Sequence, residues 1–426
     1  MKKYPNIFLI SILFSFIAFS NVLAGETLSW QDCIKESAKN HPDLIAAQEN
    51  INQSKAAKQI AGSGLLPQVD GSVSVTTSKS NAGTGAHKSV NNYGYGVNGS
   101  QLLFDGFKTV NNVNAAKENI KASQQSFRFT SSEVRLRLRT AFIELLKAQD
   151  LIQVTEDIAK IRRSDYELIT LRYQSGFEHR GALLTAEANL AQANFQSAQA
   201  IRDVELAQRQ LTKEIGRTEF IPMSVKGDFT VIDQEKEKPD FESLAKNNPS
   251  LQQIIAQKNA AQFGLKSAYA NFSPTISGQA GANKSGARWA PQNDQWNLGL
   301  SLSVPIFEGG LRLAQVSQAD ALLKEFQANE RSTRDGIVVS LAQAWTSLQD
   351  TIGIVEVQNK QLIAAQERAT IAEMEYSTGF ITYDNWTIIQ DNLVQAKTNF
   401  LNAQANALLA EANWIQAKGE VLENAS

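Results

Sequence analysis

One stretch of 69 residues, from Phe107 to Ser175, contains neither glycine nor proline. Apolar residues recur through its middle at alternating steps of four and three, which is the spacing of a coiled-coil seam. An unbroken helix of this length would extend about 100 Å, because each helical residue rises about 1.5 Å. The stretch therefore predicts a rod-shaped protein. The seam positions are Val134, Leu138, Ala141, Leu145, Ala148 and Ile152.

The seam occurs a second time, 203 residues later in the chain. No residue is gained or lost between the two copies, as expected if a slip would move every later seam residue out of register. The repetition predicts an internal duplication, with two halves that share one architecture. The matching residues are Leu138, Phe142, Leu145 and Ile152 in the first copy and Leu341, Trp345, Leu348 and Val355 in the second.

Prolines, glycines and changes of periodicity set the predicted boundaries. Repeat one covers residues 25–217, with a helix, a β-hairpin at 66–104, a long helix at 107–175 and a return helix at 182–216. Repeat two covers residues 241–419, with a helix, a β-hairpin at 274–307, a long helix at 311–378 and a return helix at 383–418. A linker at 218–240 joins them, and residues 420–426 form a tail.

The first residues have the pattern of an export signal. Lys2 and Lys3 precede an apolar run at residues 7–19, and small residues at Val22 and Ala24 suit cleavage before Gly25. We therefore predict that residues 1–24 are a signal peptide, and that the mature chain works beyond a bacterial inner membrane or in a secretory pathway. No later run reaches 18 consecutive apolar residues, so no membrane-spanning helix is predicted.

Charge and the scarce reactive residues exclude several classes of function. Without residues 1–24 the chain has 39 basic and 43 acidic residues, a net charge of −4, which does not favour nucleic-acid binding. Cys33 is the single cysteine, and the three histidines form no metal-binding spacing. The glycines at 94, 96 and 99 lie inside an alternating strand pattern, which does not suit a dinucleotide-binding loop. We predict a protein with no catalytic residues, metal site or cofactor.

Aromatic residues concentrate in the two predicted hairpins: Tyr93, Tyr95, Trp289 and Trp296. They are either ordinary strand aromatics or part of the aromatic girdle of an outer-membrane barrel. Four strands per chain cannot close a barrel, which needs about eight. Two chains would supply eight strands and three chains twelve, so hairpins that enter a membrane imply an oligomer. The predicted fold class is mainly α with membrane β-strands.

Three residues just past the second long helix form the most distinctive polar pattern. Asp384, Ile388 and Asp391 are spaced by four and three, which places them on one face of the return helix. Asp384 could simply be a first-turn carboxylate favoured by the helix dipole. If the face points to a symmetry axis, the three residues instead form acidic, apolar and acidic rings across a pore, and such rings set selectivity.

The chain resembles the TolC-like outer-membrane efflux protein family over nearly all of its mature length. The residues that carry the resemblance are Asn40, Pro42 and Leu44 with Pro67, then Asn247, Pro249 and Leu251 with Pro274, and the Tyr-x-x-Gly corners at Tyr173 to Gly176 and Tyr376 to Gly379. The resemblance implies a homotrimer with a twelve-stranded β-barrel in outer-membrane lipid, continued by an α-helical coiled-coil barrel across the periplasm. It also implies a closable tip that docks to a periplasmic adaptor protein coupled to an inner-membrane transporter.

Position by position, Tyr376 matches a tip tyrosine that ties helices closed in family members. Asp384, Ile388 and Asp391 fall where members place the constriction. The chain departs from some members at Ile381 and Asn385, where an arginine and an aspartate occur. The implied function is a passive exit duct for efflux or type I secretion. The alternative is a secreted structural or adhesive coiled-coil protein without a channel, which leaves the alternating hairpins unexplained.

Overall fold

The computed structural model describes residues 26–81, 87–231 and 237–424. The predicted signal peptide at 1–24 lies outside these residues. The first half of the chain contains β1 (Glu26–Leu28), α1 (Trp30–Asn40), α2 (Pro42–Ser63), β2 (Gln68–Asn81), β3 (His87–Phe104), α3 (Lys108–Gln174), α4 (Arg180–Glu214) and β4 (Met223–Val225). The second half contains α5 (Phe241–Asn247), α6 (Pro249–Ala270), β5 (Thr275–Gly286), β6 (Asn293–Ser303), α7 (Leu311–Thr378) and α8 (Tyr383–Ala417). A short 3₁₀ turn follows at Leu422–Asn424. The chain is mainly helical, as predicted.

Two long helical hairpins dominate the structure, α3 with α4 and α7 with α8. Their return helices turn alanines toward the long helices at intervals of seven residues. The buried alanines at this spacing are Ala186, Ala193, Ala200 and Ala207 in α4, and Ala396, Ala403 and Ala410 in α8. Because alanine adds only a methyl group, this spacing lets two helices pack closely along a continuous seam.

The helices α2 and α6 begin in the same way. Each has a proline in its first turn, and the residue before the proline caps the helix. His41 Nδ1 accepts a hydrogen bond from the Asp43 amide at 3.2 Å. Asn248 Oδ1 accepts one from the Ser250 amide at 2.9 Å. His41 and Asn248, which are 207 positions apart, therefore both cap the amino end of a helix.

The strands β2, β3, β5 and β6 form one antiparallel sheet in the order β2-β3-β5-β6. The pairing places most of the apolar residues of the four strands on one face, and most of the serine, asparagine and glutamine residues on the other. Among the apolar residues, Val73 is 71% exposed, Trp296 82% and Leu298 79%. No described helix combines the length and apolarity needed to cross a membrane.

The segment predicted as a linker, 218–240, contributes to the core. Its strand β4 pairs in parallel with β1, and Met223 and Val225 are buried. The side-chain amide of Gln149 both donates to the Val225 carbonyl at 2.9 Å and accepts from the Val225 amide at 2.8 Å. Leu422, in the predicted tail, is fully buried in the same cluster. Residues far apart in sequence thus close one core beside the middle of α3.

Candidate functional site: the helical tip and the sheet

Both helical hairpins turn at glycine corners. Gly176 and Gly379 have φ angles of 77° and 83°, in the left-handed region where a side chain is disfavoured. In each corner the residue after the glycine donates its amide proton back to the long helix, Phe177 to the Arg172 carbonyl and Phe380 to the Glu375 carbonyl, both at 2.8 Å. These bonds satisfy carbonyls that the helix end leaves unpaired.

The two corner tyrosines lie in different surroundings. Tyr173 is 39% exposed, whereas Tyr376 is 1% exposed. The Tyr376 hydroxyl donates to the Glu178 carboxylate at 2.7 Å, which joins the end of α7 to the loop between α3 and α4. Its ring stacks on Trp386, with centroids 4.7 Å apart and planes 8° from parallel. Burial, together with the hydrogen bond to Glu178, raises the pKa of Tyr376, so the hydroxyl stays protonated as a donor.

Arg172 completes this contact from α3. Its guanidinium lies 4.6 Å from the centre of the Tyr376 ring and its Nε lies 3.8 Å from Glu178. A cation over an aromatic face is favourable, and more so when both are partly desolvated. The surrounding apolar cluster holds the two hairpins together at the tip of one chain. Its buried members are Ile169, Ala182, Ala186, Ala372, Tyr376, Tyr383 and Trp386.

The predicted gate residues lie on the exposed side of α8. Asp384 is exposed, Ile388 is 58% exposed, and the Asp391 side chain is 56% exposed. The structure brings Asp391 into a hydrogen-bonded ion pair with Arg162 of α3. Arg162 itself is 7% exposed, so this pair links the two hairpins at a largely buried cation. Asp391 is thus partly neutralised within its own chain.

Arg162 also faces a second carboxylate. Its Nη1 lies 3.5 Å from Asp165, one turn further along α3. Burial raises the pKa of Asp165 to about 6, with smaller contributions from Glu373 and Asp391, and Arg162 opposes the rise. The effect of desolvation on the pKa of Asp165 is therefore larger than the opposite effect of the Arg162 guanidinium. This carboxylate changes its charge close to neutral pH.

The sequence did not indicate Arg162, Asp165, Glu178 or Trp386 as site residues. Arg162 and Glu178 act through contacts with Asp391 and Tyr376, about 200 residues away in sequence, and the spacing of residues along one helix does not predict such contacts. Only Arg162 gave a signal in the sequence, since it lies on an otherwise apolar face of the helix. A charged residue that is buried there almost always has a partner of opposite charge.

The predicted barrel aromatics all lie on the sheet or its connecting loop. Tyr93 and Trp289 meet edge to face, with centroids 6.1 Å apart. Tyr95 and Trp296 are 43% and 82% exposed and lie on the apolar face of the sheet. On that face Lys284 and Asp294 form a cross-strand ion pair at 3.1 Å. Within the described ranges, no group of three or more His, Cys, Asp or Glu residues is placed to hold a metal ion.

A family model described as outer membrane efflux protein matches residues 33–217 and 241–420. The chain belongs to the outer membrane efflux protein family. The resemblance inferred from the proline and corner motifs is confirmed, as are the predicted location in the outer membrane and the predicted role as an export channel. The alternative, a secreted adhesive coiled-coil protein, finds no support among these matches.

Named relatives of this family member come from different export systems. The chain is 22% identical to the outer membrane efflux protein BepC of Brucella suis over 82% of its length and 78% of that protein. It is 22% identical to the alkaline protease secretion protein AprF of Pseudomonas aeruginosa over 66% of its length and 61% of that protein. The crystal structure of the outer membrane protein VceC of Vibrio cholerae shares the fold, with a TM-score of 0.78, 19% identity and coverage of 92% and 96% of the two chains.

Proposed function

We propose that three copies of this chain form a passive exit duct across the outer membrane. In this assembly the three sheets close into a twelve-stranded barrel, and the helical hairpins form a tube that continues into the periplasm. The tip of the tube is the gate. The duct serves a periplasmic adaptor protein and an inner-membrane transporter, in efflux or in type I secretion. The two segments matched by the family model support an origin by internal duplication.

The observation that carries the proposal is the two-faced sheet with two open edges. The outer edges of β2 and β6 pair with no described strand of the chain. Unpaired edges and a broad exposed apolar face are unfavourable in water, because open edges promote association. Both are resolved when β6 of one copy pairs with β2 of the next and the apolar face meets lipid. The polar face, with its asparagines, serines and glycines, then lines the lumen.

A duct formed by three copies of the chain fits the sheet better than one formed by two copies. An eight-stranded barrel has an interior just wide enough to be filled by side chains, whereas larger barrels enclose a channel. Small residues on the lumen face, such as Gly96, Gly281 and Gly299, suit an open interior rather than a packed one. A barrel of twelve strands, with an open interior, therefore suits transport better than a filled barrel of eight.

At the other end of the duct, we propose that Asp384, Ile388 and Asp391 narrow the lumen and that Tyr376 ties the tip. The exposure of all three α8 residues in the single chain supports this, since a face directed at a symmetry axis would not be covered by its own hairpin. Asp384 carries more of the ring charge than Asp391, because Arg162 already neutralises much of Asp391. Ring carboxylates are hard oxygen ligands, so multivalent cations should bind there and block the duct.

The test of the assembly is the mass of the detergent-solubilised protein, together with cross-linking between β2 and β6. A trimer whose cross-links join neighbouring copies is expected. A monomer, or a ring with an even number of chains, would rule out the twelve-stranded barrel.

The test of the gate is conductance in planar bilayers. The wild-type duct should conduct poorly, favour cations and be inhibited from the periplasmic side by divalent or trivalent metal ions. Asp384→Ala should remove most of the metal block, and Ile388→Gly should raise the basal conductance. Asp391→Ala should have a smaller effect on the block than Asp384→Ala. Should Asp384→Ala together with Asp391→Ala retain wild-type selectivity and metal block, the first-turn role of Asp384 at the helix dipole is the correct interpretation.

A further inference from the structure

Phe107 occupies a backbone conformation that is unusual for its residue type. Its φ angle is 66° and its ψ angle 17°, in the left-handed region that bulky residues avoid. The residue at the corresponding position of the second half, 203 residues later, is Gly310, with a φ angle of 86°. Glycine adopts this conformation without strain. The chain thus retains a phenylalanine where its own second half shows that glycine suffices for the turn.

A β-bulge directly before this turn changes which face the strand presents. Leu102 pairs with Ser277, but Phe104 pairs with Ile276, so β3 uses two residues against one on β5. The extra residue rotates Phe104 onto the apolar face, in line with Ile276 and Leu302. Without the bulge, Phe104 would lie on the polar face.

Phe107 extends that apolar face by one more ring. It meets Phe104 edge to face, with centroids 5.8 Å apart and planes at 83°. It is nevertheless 64% exposed, so packing against Phe104 covers only part of the side chain. The strained backbone therefore holds an exposed aromatic ring beside the apolar face, just beyond the last paired residues of the sheet.

The position of β3 limits what can cover this ring. Both of its edges are paired with strands of the same chain, β2 on one side and β5 on the other. A neighbouring copy that pairs at the sheet edges does not reach the front of β3. The next residue, Lys108, is exposed and brings a cation to the same level. Aromatic rings and lysines side by side are typical of the boundary between acyl chains and lipid headgroups.

We propose that Phe107 is a membrane anchor, inserted at the lipid headgroup boundary on the helical side of the barrel. The strained turn is retained because it places the ring there. This inference rests on the proposed barrel, and it assigns one residue at which the barrel contacts lipid at the sheet–helix junction.

Tryptophan fluorescence tests the placement in lipid vesicles. In a background of Trp289→Phe and Trp296→Phe, three separate variants carry the reporter: Phe107→Trp, Leu302→Trp on the apolar face, and Ser301→Trp on the polar face one residue away. The background keeps the four tryptophans outside the sheet, so the emission of the reporter is the difference between each variant and the background. Vesicles contain phosphatidylcholine with bromine either near the headgroup or deep in the acyl chain. Emission from the Phe107→Trp variant should shift to shorter wavelength and be quenched more by shallow than by deep bromine. The Leu302→Trp variant should also be quenched by bromine, and the Ser301→Trp variant only by iodide in the aqueous phase.

The outcomes separate the anchor from the barrel. If bromine quenches the Leu302→Trp variant but not the Phe107→Trp variant, the barrel is supported and the anchor is overturned. In that case, quenching by iodide would show that residue 107 lies in water. No quenching by either agent would show that it packs against protein. If bromine quenches neither variant, the barrel itself fails. Phe107→Gly should still form trimers and unfold at the same or a higher temperature in detergent. A lower unfolding temperature would show that the ring serves internal packing, which would also overturn the anchor.

Discussion

The hydroxyl of Tyr376 and the carboxylate of Glu178, 198 residues apart in sequence, lie 2.7 Å apart as donor and acceptor. This bond joins the two helical hairpins at their tips, in addition to the apolar contacts there and the ion pair between Arg162 and Asp391. Trp386 stacks on one side of the Tyr376 ring, and the Arg172 guanidinium lies over the ring. A single buried side chain therefore connects three helices and one corner loop.

Removing the Tyr376 hydroxyl should loosen the tip. Tyr376→Phe keeps the stacking on Trp386 but leaves the Glu178 carboxylate without its donor, at a cost of about 1–3 kcal/mol. Amide hydrogen exchange at residues 165–185 and 370–390 should quicken accordingly, and the basal conductance in bilayers should rise. Tyr173→Phe is the matched control, because Tyr173 occupies the other corner and is 39% exposed. Equal effects of the two changes would show that the bond to Glu178 does not hold the tip.

Acidification should stabilise the tip locally through Asp165. Its pKa is raised to about 6 in the folded chain, against about 3.9 for an unperturbed aspartate. The folded state therefore binds more protons between these values, so stability rises as pH falls from about 6 to about 4. The gain is at most about 3 kcal/mol, since each pKa unit corresponds to about 1.4 kcal/mol.

Hydrogen exchange at the tip, measured at pH 7.5 and pH 5 and corrected for the intrinsic rate, checks this expectation. Asp165→Asn should be as stable at the higher pH as at the lower one, because an amide does not titrate. Other carboxylates face Arg162 and the tip, namely Glu373 and Asp391, and they remain in this variant. If Asp165→Asn keeps the wild-type pH dependence, Asp165 is not its source.

The alanine seam should not tolerate a larger side chain. Ala200 in α4 is 1% exposed against α3. Ala200→Leu forces the two helices apart and should destabilise the hairpin by about 1–3 kcal/mol. Ala198→Leu, two residues away on the exposed side of the same helix, should leave thermal unfolding of the isolated chain nearly unchanged. If both changes lower the unfolding temperature equally, the seam does not set the distance between the helices.

His41 should be replaceable by asparagine but not by alanine. Asn248 caps α6 as His41 caps α2, so His41→Asn keeps an acceptor for the Asp43 amide. His41→Ala removes the cap and should cost about 0.5–2 kcal/mol in thermal unfolding. The Nε2 atom of His41 also lies 3.4 Å from Glu214. An asparagine variant as unstable as the alanine variant would show that this second contact matters more than the cap.

The sequence indicated the elements that depend on local chemistry. Proline at the start of α2 and α6, and glycine at residues 176 and 379, mark ends that backbone sterics impose. The seven-residue repeats of α3 and α7 and the alternation in the strands reflect which side of each element is covered. Helix ends, heptad repeats and strand alternation each depend on residues close together in sequence, so they can be predicted from the sequence pattern.

The rest depends on contacts between distant segments. The strands β1 and β4 are three residues each, too short for any alternation, and the second lies where a linker is predicted. The pairing of Asp391 with Arg162 requires α8 to lie beside α3, which neither helix encodes alone. The interpretation of Asp391 as a member of an acidic ring therefore did not include Arg162, the cation with which it pairs.

The pairing of β1 with β4 bears on the order in which the protein is built. Thr27 and Ser224 are in contact across 197 residues, and Leu422 packs into the same cluster. A ribosome or an export machine that delivers the chain from its amino end must therefore finish residue 422 before this core can close. Folding rates fall as contacts become more distant in sequence, because long loops are slow to form. Until then the four strands of the sheet, with their apolar face, remain tethered to a core that has not yet closed.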